Sequence, residues 1–562
     1  MLNIIIFFSS FYILIISIIG YGILFQNLCF GTIRSMKDQK VIYLGFYGLF
    51  LLTFISLITS LFAPHNFIHN IILHLIGILF FVFLKVEDKK HYLKIIFLIS
   101  IVLISALLIS KTHDDFSYYH LPFTKYLTEQ KVIFGMAHIG HGYKLISSLF
   151  FLNSIFYLPF IEYFSFHFSL LFFLIFFNFF LIKEISSKNI NDVIKYLYIF
   201  ALAFFNLSFN RIAEYGTDKA GQLLIVILVI KIFHLTCFDN SKSKLNNILF
   251  LVPLLGLCIS LKTYFLSYIL IGLTIILFEE KLFKSLKSIF YSSPFFIFFL
   301  FLTFYYLHHF ISTGCLISPL STTCFGDNFD WAKTKESYKS LSIWLEQWAK
   351  AGANPNFRID NPLDYIKNFN WIPNWIEMYF KEKVLDQLGI LASVFFVVFL
   401  LFKNFELKKN NFFLDKRILF FYTIVFIVFF IWFSKHPQLR YGGYSIIFLI
   451  FSIPAAMIFQ NVKNRDFFKD RLKYFVLLIV IIFNFKNINR IGKEIDRTDL
   501  YKYDNFPFFA IPDKKYLIKN YPSGLTIYST GGHCWNIPSP CSEGDLSKFK
   551  VRKNNKYYFL YK

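Results

Sequence analysis

Charged residues are scarce in this sequence. Asp, Glu, Lys and Arg make up 16% of the 562 residues, whereas 56% are hydrophobic. An ordinary soluble domain carries about 25% charged residues, so the composition argues against a soluble globular protein. The sequence also lacks a P-loop pattern and any strand followed by a glycine-rich turn. Both absences argue against a nucleotide-sugar donor.

Long apolar runs recur from the N-terminus to about residue 485. Each approaches the length of about 20 residues at which an α-helix crosses a hydrocarbon core. The first run has neither a basic amino-terminal region nor a small-residue cleavage site, so we interpret it as a retained span. We therefore predict an all-α polytopic membrane protein with about fourteen transmembrane helices, near residues 4–25, 41–62, 71–86, 94–110, 163–183, 193–209, 221–237, 247–261, 264–279, 289–311, 387–402, 418–434, 441–460 and 474–488.

Lys and Arg outnumber Asp and Glu by 57 to 34, which gives a formal net charge of +23. Most of these cations lie in short segments between apolar runs, where they retain a connection on the cytoplasmic side. A nucleic-acid partner is therefore not expected. The alternate connections are poor in Lys and Arg, so both chain ends are predicted outside and seven basic segments inside: 34–40, 85–94, 183–195, 242–244, 281–287, 403–417 and 463–473.

One predicted pair of helices is short for two full crossings. Residues 247–279 are flanked on both sides by basic segments, and this arrangement requires an even number of crossings. The chain is therefore expected to turn near Lys262 and Thr263, where the pair forms a shallow hairpin.

Three outward regions are too long to be simple connections, and they divide the chain. The first has apolar stretches that suit helices lying in the membrane interface, the second is rich in Trp, and the third resembles a small α+β periplasmic appendage. The loops are 111–162 and 312–386. The predicted domains are an N-terminal three-helix extension (1–93), a transmembrane core (94–488) and a periplasmic C-terminal domain (489–562).

The seven cysteines fit this topology, since disulfides persist in an oxidising periplasm and not in the cytosol. Two pairs fall in outward regions and are close enough in sequence to bridge: Cys315 with Cys324, and Cys534 with Cys541. The remaining three lie in or beside helices without a close partner. We predict two disulfides in the exported regions.

Two adjacent acids, Asp114 and Asp115, lie in the segment that begins at Lys111, directly after the fourth predicted helix. Adjacent carboxylates repel each other, so one of them has a raised pKa unless a cation neutralises the site. Such a group suits a general base or a ligand of a divalent metal such as Mg²⁺ or Mn²⁺. The alternative interpretation is a solvated helix cap.

Further ionisable groups lie at other predicted outward turns. Arg211, Glu214 and Asp218 stand between two apolar helices, Lys262 lies at the hairpin turn, and Arg440 follows a later helix. Ionisable groups at the membrane boundary are functional candidates, although snorkelling of the side chain is an equal alternative for Lys262. Together these groups fit a lipid phosphate donor, whose leaving group Arg and Lys neutralise while an Asp deprotonates the acceptor hydroxyl.

The loop that begins with the two acids resembles the first outward loop of the GT-C superfamily of integral membrane glycosyltransferases. The matching positions are Asp114 and Asp115, then Tyr119 and His120, Pro122 and Gly135. The resemblance implies a polyprenyl-phosphate-sugar donor, an inverting hexosyl or pentosyl transfer to a glycan or lipid acceptor, and a catalytic role for Asp114 and Asp115. It places the active site on the periplasmic face of a bacterial inner membrane.

The same resemblance relates Arg440 and Tyr441 to a late outward Arg that contacts the donor phosphate. We predict substrate-binding roles for these two residues and for Tyr119, His120, Arg211, Glu214, Asp218 and Lys262. The loop departs from the protein-mannosyl and lipid A aminosugar branches, because it has no Asp-Glu pair and no Arg before the Tyr.

Two other functions compete with this interpretation. An O-antigen polymerase or ligase uses Arg and His in a late outward loop, but residues 312–386 contain Arg358 as their only Arg and contain no His. A transporter or flippase typically has related halves and midplane ionisable groups, whereas here no repeat is apparent and the ionisable groups cluster at the outward boundary.

Overall fold

The computed structural model describes residues 2–32, 39–84, 86–109, 115–187, 190–239, 244–278, 282–326, 328–401, 415–459, 465–497, 511 and 514–561. It is mostly helical, with small sheets near the C-terminus. The helices are α1 (Leu2–Phe30), α2 (Leu44–Thr59), α3 (Phe67–Phe83), α4 (Lys89–Leu103), α5 (Leu121–Glu129), α6 (Ser148–Ile155), α7 (Phe168–Ser186), α8 (Asp192–Ser208), α9 (Asp218–Cys237), α10 (Lys244–Leu249), α11 (Val252–Leu261), α12 (Ile269–Leu277), α13 (Leu282–Phe290), α14 (Ser293–Thr313), α15 (Lys335–Ala349), α16 (Pro362–Ile366), α17 (Ile372–Trp375), α18 (Leu385–Leu401), α19 (Lys416–Lys435), α20 (Gly443–Phe459) and α21 (Arg465–Arg497).

Within the described residues, eight helices are long and apolar enough to cross a membrane. They are α1, α2, α7, α9, α14, α18, α19 and α21, some of them with adjoining turns. Four shorter apolar helices also occur, at Phe67–Phe83, Asn247–Leu261, Thr263–Ile275 and Gly443–Phe459. Helices of this length and composition can cross a lipid bilayer, so the prediction of a polytopic α-helical membrane protein is confirmed. The count of fourteen crossings stays a prediction.

The first three helices pack closely through glycines. A Cβ at Gly20 of α1 would lie 1.9 Å from the carbonyl oxygen of Gly77 in α3, and one at Gly48 of α2 would lie equally close to the Ile18 carbonyl oxygen. Small residues allow such close backbone approach in membrane bundles. Helices α1, α2 and α3 are therefore closely packed, and the predicted domain boundary at residue 93 stays a prediction.

The helical conformation is interrupted at Lys262. Helix α11 ends at Leu261, Lys262 is extended, and a 3₁₀ turn over Thr263–Tyr268 leads into α12. The structure therefore has the turn that charge parity predicts, and it presents Lys262 between the two helices.

Helix α6 is buried against other parts of the protein along its whole length, and its predicted location in the membrane interface stays a prediction. Its polar groups find partners on several sides. The Ser56 hydroxyl donates to the Phe151 carbonyl (2.6 Å), the Ser148 and Ser260 hydroxyls are hydrogen-bonded (2.7 Å), and Ser154 contacts His65 (2.6 Å). These bonds stabilise the packing of α6 against the rest of the protein.

The C-terminal region contains two small sheets. In the first, β3 (Leu517–Asn520), β4 (Thr526–Ser529) and β5 (Cys541–Ser542) lie in that order, with an antiparallel and then a parallel pair. In the second, β6 (Lys550–Asn554) pairs antiparallel with β7 (Tyr557–Tyr561). A separate hairpin, β1 (Ala353–Asn354) and β2 (Phe357–Arg358), follows α15. Helix α21 continues to Arg497, beyond the predicted domain boundary at residue 489.

The three long loop regions meet on one side of the bundle, which we call the loop face: residues 115–162, 314–384 and 514–561. The Phe134 and Phe559 backbones form a bridge, and Nε2 of His138 is hydrogen-bonded to the Trp331 carbonyl (3.0 Å). Gly135 has φ +79°, and a Cβ there would lie 2.1 Å from the Leu560 carbonyl oxygen, so a side chain does not fit.

Both predicted disulfide pairs are bonded on this face, Cys315 with Cys324 and Cys534 with Cys541, whereas Cys29, Cys237 and Cys258 belong to no disulfide within the described part of the chain.

Candidate functional site

The first part of the candidate site is the turn after the acidic pair. Asp115 precedes a π-helical turn over Phe116–His120, a rare geometry that is common at functional sites. The Tyr119 hydroxyl donates to the Asp115 carboxylate over 3.5 Å. Asp114, the other predicted catalytic acid, lies outside the described residues.

The second part is the connection between α8 and α9. Arg211 forms an ion pair with Glu214, and the Lys219 ammonium donates to the Arg211 carbonyl (2.9 Å). Asp218 is the first residue of α9, where the helix dipole favours a carboxylate. The ion pair and the hydrogen bond within this connection fix its conformation. In this conformation Asp218 lies close to the neighbouring turns.

The third part joins three distant segments through one carboxylate. One oxygen of Asp218 pairs with the Lys262 ammonium, and the other lies 3.6 Å from Nε of Arg440. The Lys262 ammonium also lies 4.3 Å from the centre of the Tyr441 ring, within the range of a cation–π contact. Two cations share one anion here, so the cluster retains a net positive charge.

Burial lowers the pKa of Lys262 to about 8, and the negative charge of Asp218 opposes this shift. The ammonium is therefore still mostly protonated at neutral pH. An anion entering the cluster meets two positively charged groups in a partly dehydrated site, where their attraction is stronger than in water.

Two cavities adjoin at these residues. The smaller, of about 100 Å³, is the more polar, and its wall includes Asp115, Tyr119, His120, Glu214, Asp218, Lys219 and Arg440. The larger, of about 320 Å³, has an apolar wall that includes Leu145, Phe150 and Leu261, interrupted by Lys262, Arg440 and Tyr441. Tyr119, Thr217 and Arg440 belong to both walls.

The predicted site residues are therefore brought together from four distant turns. Of those in the described residues, only Arg211 does not contribute to a cavity wall. Its side chain is 42% exposed and reaches the site through its ion pair with Glu214.

The structure adds two histidines to the wall of the larger cavity, His309 and His436. Burial, together with the charges of Lys262, Lys350 and Lys435, lowers the pKa of His436 to about 4, so this ring is neutral at physiological pH. His436 lies four residues before Arg440 in the same connection, and this short distance in sequence is the feature that could have indicated a role for His436 in the site. His309 lies inside an apolar helix, where nothing in the sequence distinguishes it from its neighbour His308.

The predicted Mg²⁺ or Mn²⁺ ion has no ligand set among the described residues, which contain no cluster of three or more His, Cys, Asp or Glu able to hold a metal. Asp114, one of the predicted ligands, lies outside the described residues, whereas the other possible oxygen ligands, Asp115, Glu214 and Asp218, line the smaller cavity. The metal stays a prediction.

A family model described as a domain of unknown function, DUF8201, matches residues 1–447. The match includes all the candidate catalytic and substrate-binding residues and excludes the C-terminal sheets. No curated protein and no solved structure matches the chain.

Proposed function

We propose that this chain, which belongs to the DUF8201 family, is a membrane glycosyltransferase that moves a sugar from a polyprenyl-phosphate-linked donor to a cell-envelope glycan or lipid acceptor. The observation that carries the proposal is the pair of adjoining cavities. One has a carboxylate, Asp115, in its wall, the other has the cation Lys262, and Tyr119 and Arg440 lie in both walls. A transfer reaction requires this separation of base and leaving group.

The larger cavity suits the donor. Its apolar wall fits a hydrocarbon chain, and Lys262 and Arg440 supply charge-assisted hydrogen bonds to a phosphate. Asp218 holds the two cations beside each other before the donor arrives. Preorganised cations of this kind stabilise the negative charge that develops on the leaving phosphate.

The smaller cavity suits the acceptor hydroxyl. Asp115 removes its proton as the hydroxyl oxygen attacks the anomeric carbon of the donor. The bond from that carbon to the phosphate oxygen breaks, and its electron pair passes to the polyprenyl phosphate beside Lys262 and Arg440. The hydrogen bond from Tyr119 orients the Asp115 carboxylate for this step. Attack opposite the leaving group inverts the anomeric configuration.

The proposal places the loop face in the periplasm of a bacterial inner membrane, with fourteen crossings and both chain ends outside. Two features support this orientation. The predicted cytoplasmic connections are rich in Lys and Arg, and both disulfides belong to the opposite set of segments.

Envelope glycan analysis tests the function. Cells that produce Asp115→Asn at the wild-type protein level should lose the glycan product, since an amide does not accept the proton. Asp114→Asn belongs in the same experiment, because the two acids are adjacent in sequence. Asp364→Asn is the matched control, since Asp364 is an exposed carboxylate of the second loop region. Unchanged glycans in both variants of the acidic pair would exclude the catalytic assignment.

A further inference from the structure

A second group of side chains lies beside the candidate site and has no part in the steps above. The Tyr118 and His141 rings stack with centroids 6.3 Å apart, and His533 lies 5.3 Å from Tyr118. Trp344 packs edge-on against His141 at 5.0 Å. These four rings come from all three regions of the loop face, so they meet only in the folded protein.

A carboxyl group completes the cluster. The Glu543 carboxyl lies near the Tyr118 hydroxyl, and it also lies against Gly140, where a Cβ would be 3.6 Å from its Oε1. Burial raises the pKa of Glu543 to about 7, against the opposing effects of Tyr118 and Lys144. Near neutral pH this group is present both as the carboxylate and as the protonated acid. The carboxylate accepts hydrogen bonds, and the acid also donates one.

The cluster is connected to Asp115 through a single turn of backbone. Tyr118 and Tyr119 are neighbours on the π-helical turn, and their rings are 5.7 Å apart. Tyr119 contacts Asp115, whereas Tyr118 belongs to the aromatic cluster. The Ser117 hydroxyl and Nδ1 of His533 are hydrogen-bonded at 2.8 Å, which ties the C-terminal region to the same turn. A molecule bound at the cluster therefore lies next to the acceptor cavity.

We propose that Tyr118, His141, Trp344, His533 and Glu543 form an acceptor subsite and that the acceptor is a carbohydrate. Aromatic rings provide flat apolar surfaces for the C–H faces of a sugar, and a carboxyl group and an imidazole bind its hydroxyls. The rest of the acceptor glycan then extends over the loop face, away from the bilayer. This inference rests on the proposed transferase function and specifies which class of acceptor it uses.

Saturation-transfer NMR on the full-length protein in lipid nanodiscs tests the subsite. The probe is the pool of oligosaccharides released by mild acid from the envelope of the cells in which the protein is native. Wild-type protein should transfer saturation to this pool. Tyr118→Ala and Trp344→Ala should each weaken binding roughly ten-fold, because each removes one stacking surface. Phe357→Ala is the control, since it removes an exposed aromatic ring from the hairpin of the second loop region.

The variants also separate this inference from the proposed function. Asp115→Asn lacks the base, so its transfer activity tests the catalytic proposal, whereas binding by the wild type and the alanine variants tests the subsite. Transfer activity that survives in Asp115→Asn contradicts the catalytic proposal and leaves the binding result unaffected. Wild-type protein that binds no oligosaccharide overturns the subsite, and so does equal binding by the wild type and both alanine variants. If an alanine variant does not fold, as judged by thermal unfolding, Trp344→Leu retains apolar volume without the ring and should show the same loss.

Discussion

The Lys262 ammonium is paired with the Asp218 carboxylate although 44 positions separate them in the chain. Asp218 begins one helix, whereas Lys262 occupies the break between two others. The pair therefore fixes the relative position of two turns, and it keeps the ammonium beside Arg440. Removing either partner affects both the geometry and the charge of the proposed phosphate site.

We expect Asp218→Asn to weaken binding of a polyprenyl phosphate roughly ten-fold, because the variant no longer holds Lys262 and Arg440 together. If the variant costs the donor phosphate one charge-assisted hydrogen bond, the loss of binding free energy is about 1.5–3 kcal/mol. Binding of radiolabelled polyprenyl phosphate to the protein in nanodiscs measures the effect. Glu346→Gln is the control, since it removes a carboxylate that pairs with Lys350 on the same face. Affinity that rises in Asp218→Asn would show instead that the carboxylate repels the donor.

The pH dependence of donor binding should reflect the loss of the proton from the Lys262 ammonium. Burial lowers its pKa to about 8, so the ammonium loses its proton as the pH rises through that value, and affinity for the phosphate falls. Lys262→Arg retains a positive charge at higher pH, because a guanidinium does not titrate in this range. Affinity measured from pH 6 to pH 10 should fall for wild type and stay nearly constant for Lys262→Arg. The same fall in both proteins would assign the titration to another group.

Glu543 should make the stability of the wild-type protein depend on pH. Its pKa in the folded protein is raised to about 7 from the ordinary value of 4.5, so the folded state binds this proton more tightly than the unfolded state. The contribution to stability is complete below pH 4.5 and is lost as the pH rises through about 7. Thermal unfolding should therefore show a smaller decrease between these values in Glu543→Gln than in wild type. Equal decreases would show that the carboxyl group is better solvated than its position suggests.

Local patterns predict much of this fold, since each predicted helix coincides with an observed one and the break at Lys262 is present. They do not predict contacts between loops. Ser117 and His533 are 416 positions apart, and neither lies in a periodic pattern that indicates a partner. The sequence does not predict the burial of α6 either, because an apolar stretch suits the protein interior and the membrane interface alike. The candidate residues were predictable as polar groups in apolar surroundings, whereas their division between two cavities depends on tertiary contacts.

The attachment of the N-terminal helices to α6 should depend on Asn70. The two N–H groups of this buried amide are shared among three carbonyl oxygens, which lie 2.9 Å (His65), 2.9 Å (Ser154) and 2.8 Å (Tyr157) from Nδ2. Asn70→Leu leaves these acceptors buried without their donor, at a cost of about 1–3 kcal/mol. A lower midpoint of thermal unfolding is expected, compared with Asn356→Leu at an exposed turn. A midpoint equal to that of the control would mean that water replaces the amide.

A buried ion pair should couple two helices of the bundle away from the candidate site. Glu184 of α7 and Lys231 of α9 are 2.7 Å apart, and the Glu184 side chain is 7% exposed. Removal of one partner leaves an uncompensated charge in the protein interior, which costs about 3–5 kcal/mol, whereas replacement of both partners is often neutral. Lys231→Met and Glu184→Gln should each lower the unfolding midpoint, and the double variant should recover most of the loss. If the two single effects simply add in the double variant, the pair is not coupled, and each residue then acts through its other contacts, such as the one between Lys231 and the Phe180 ring.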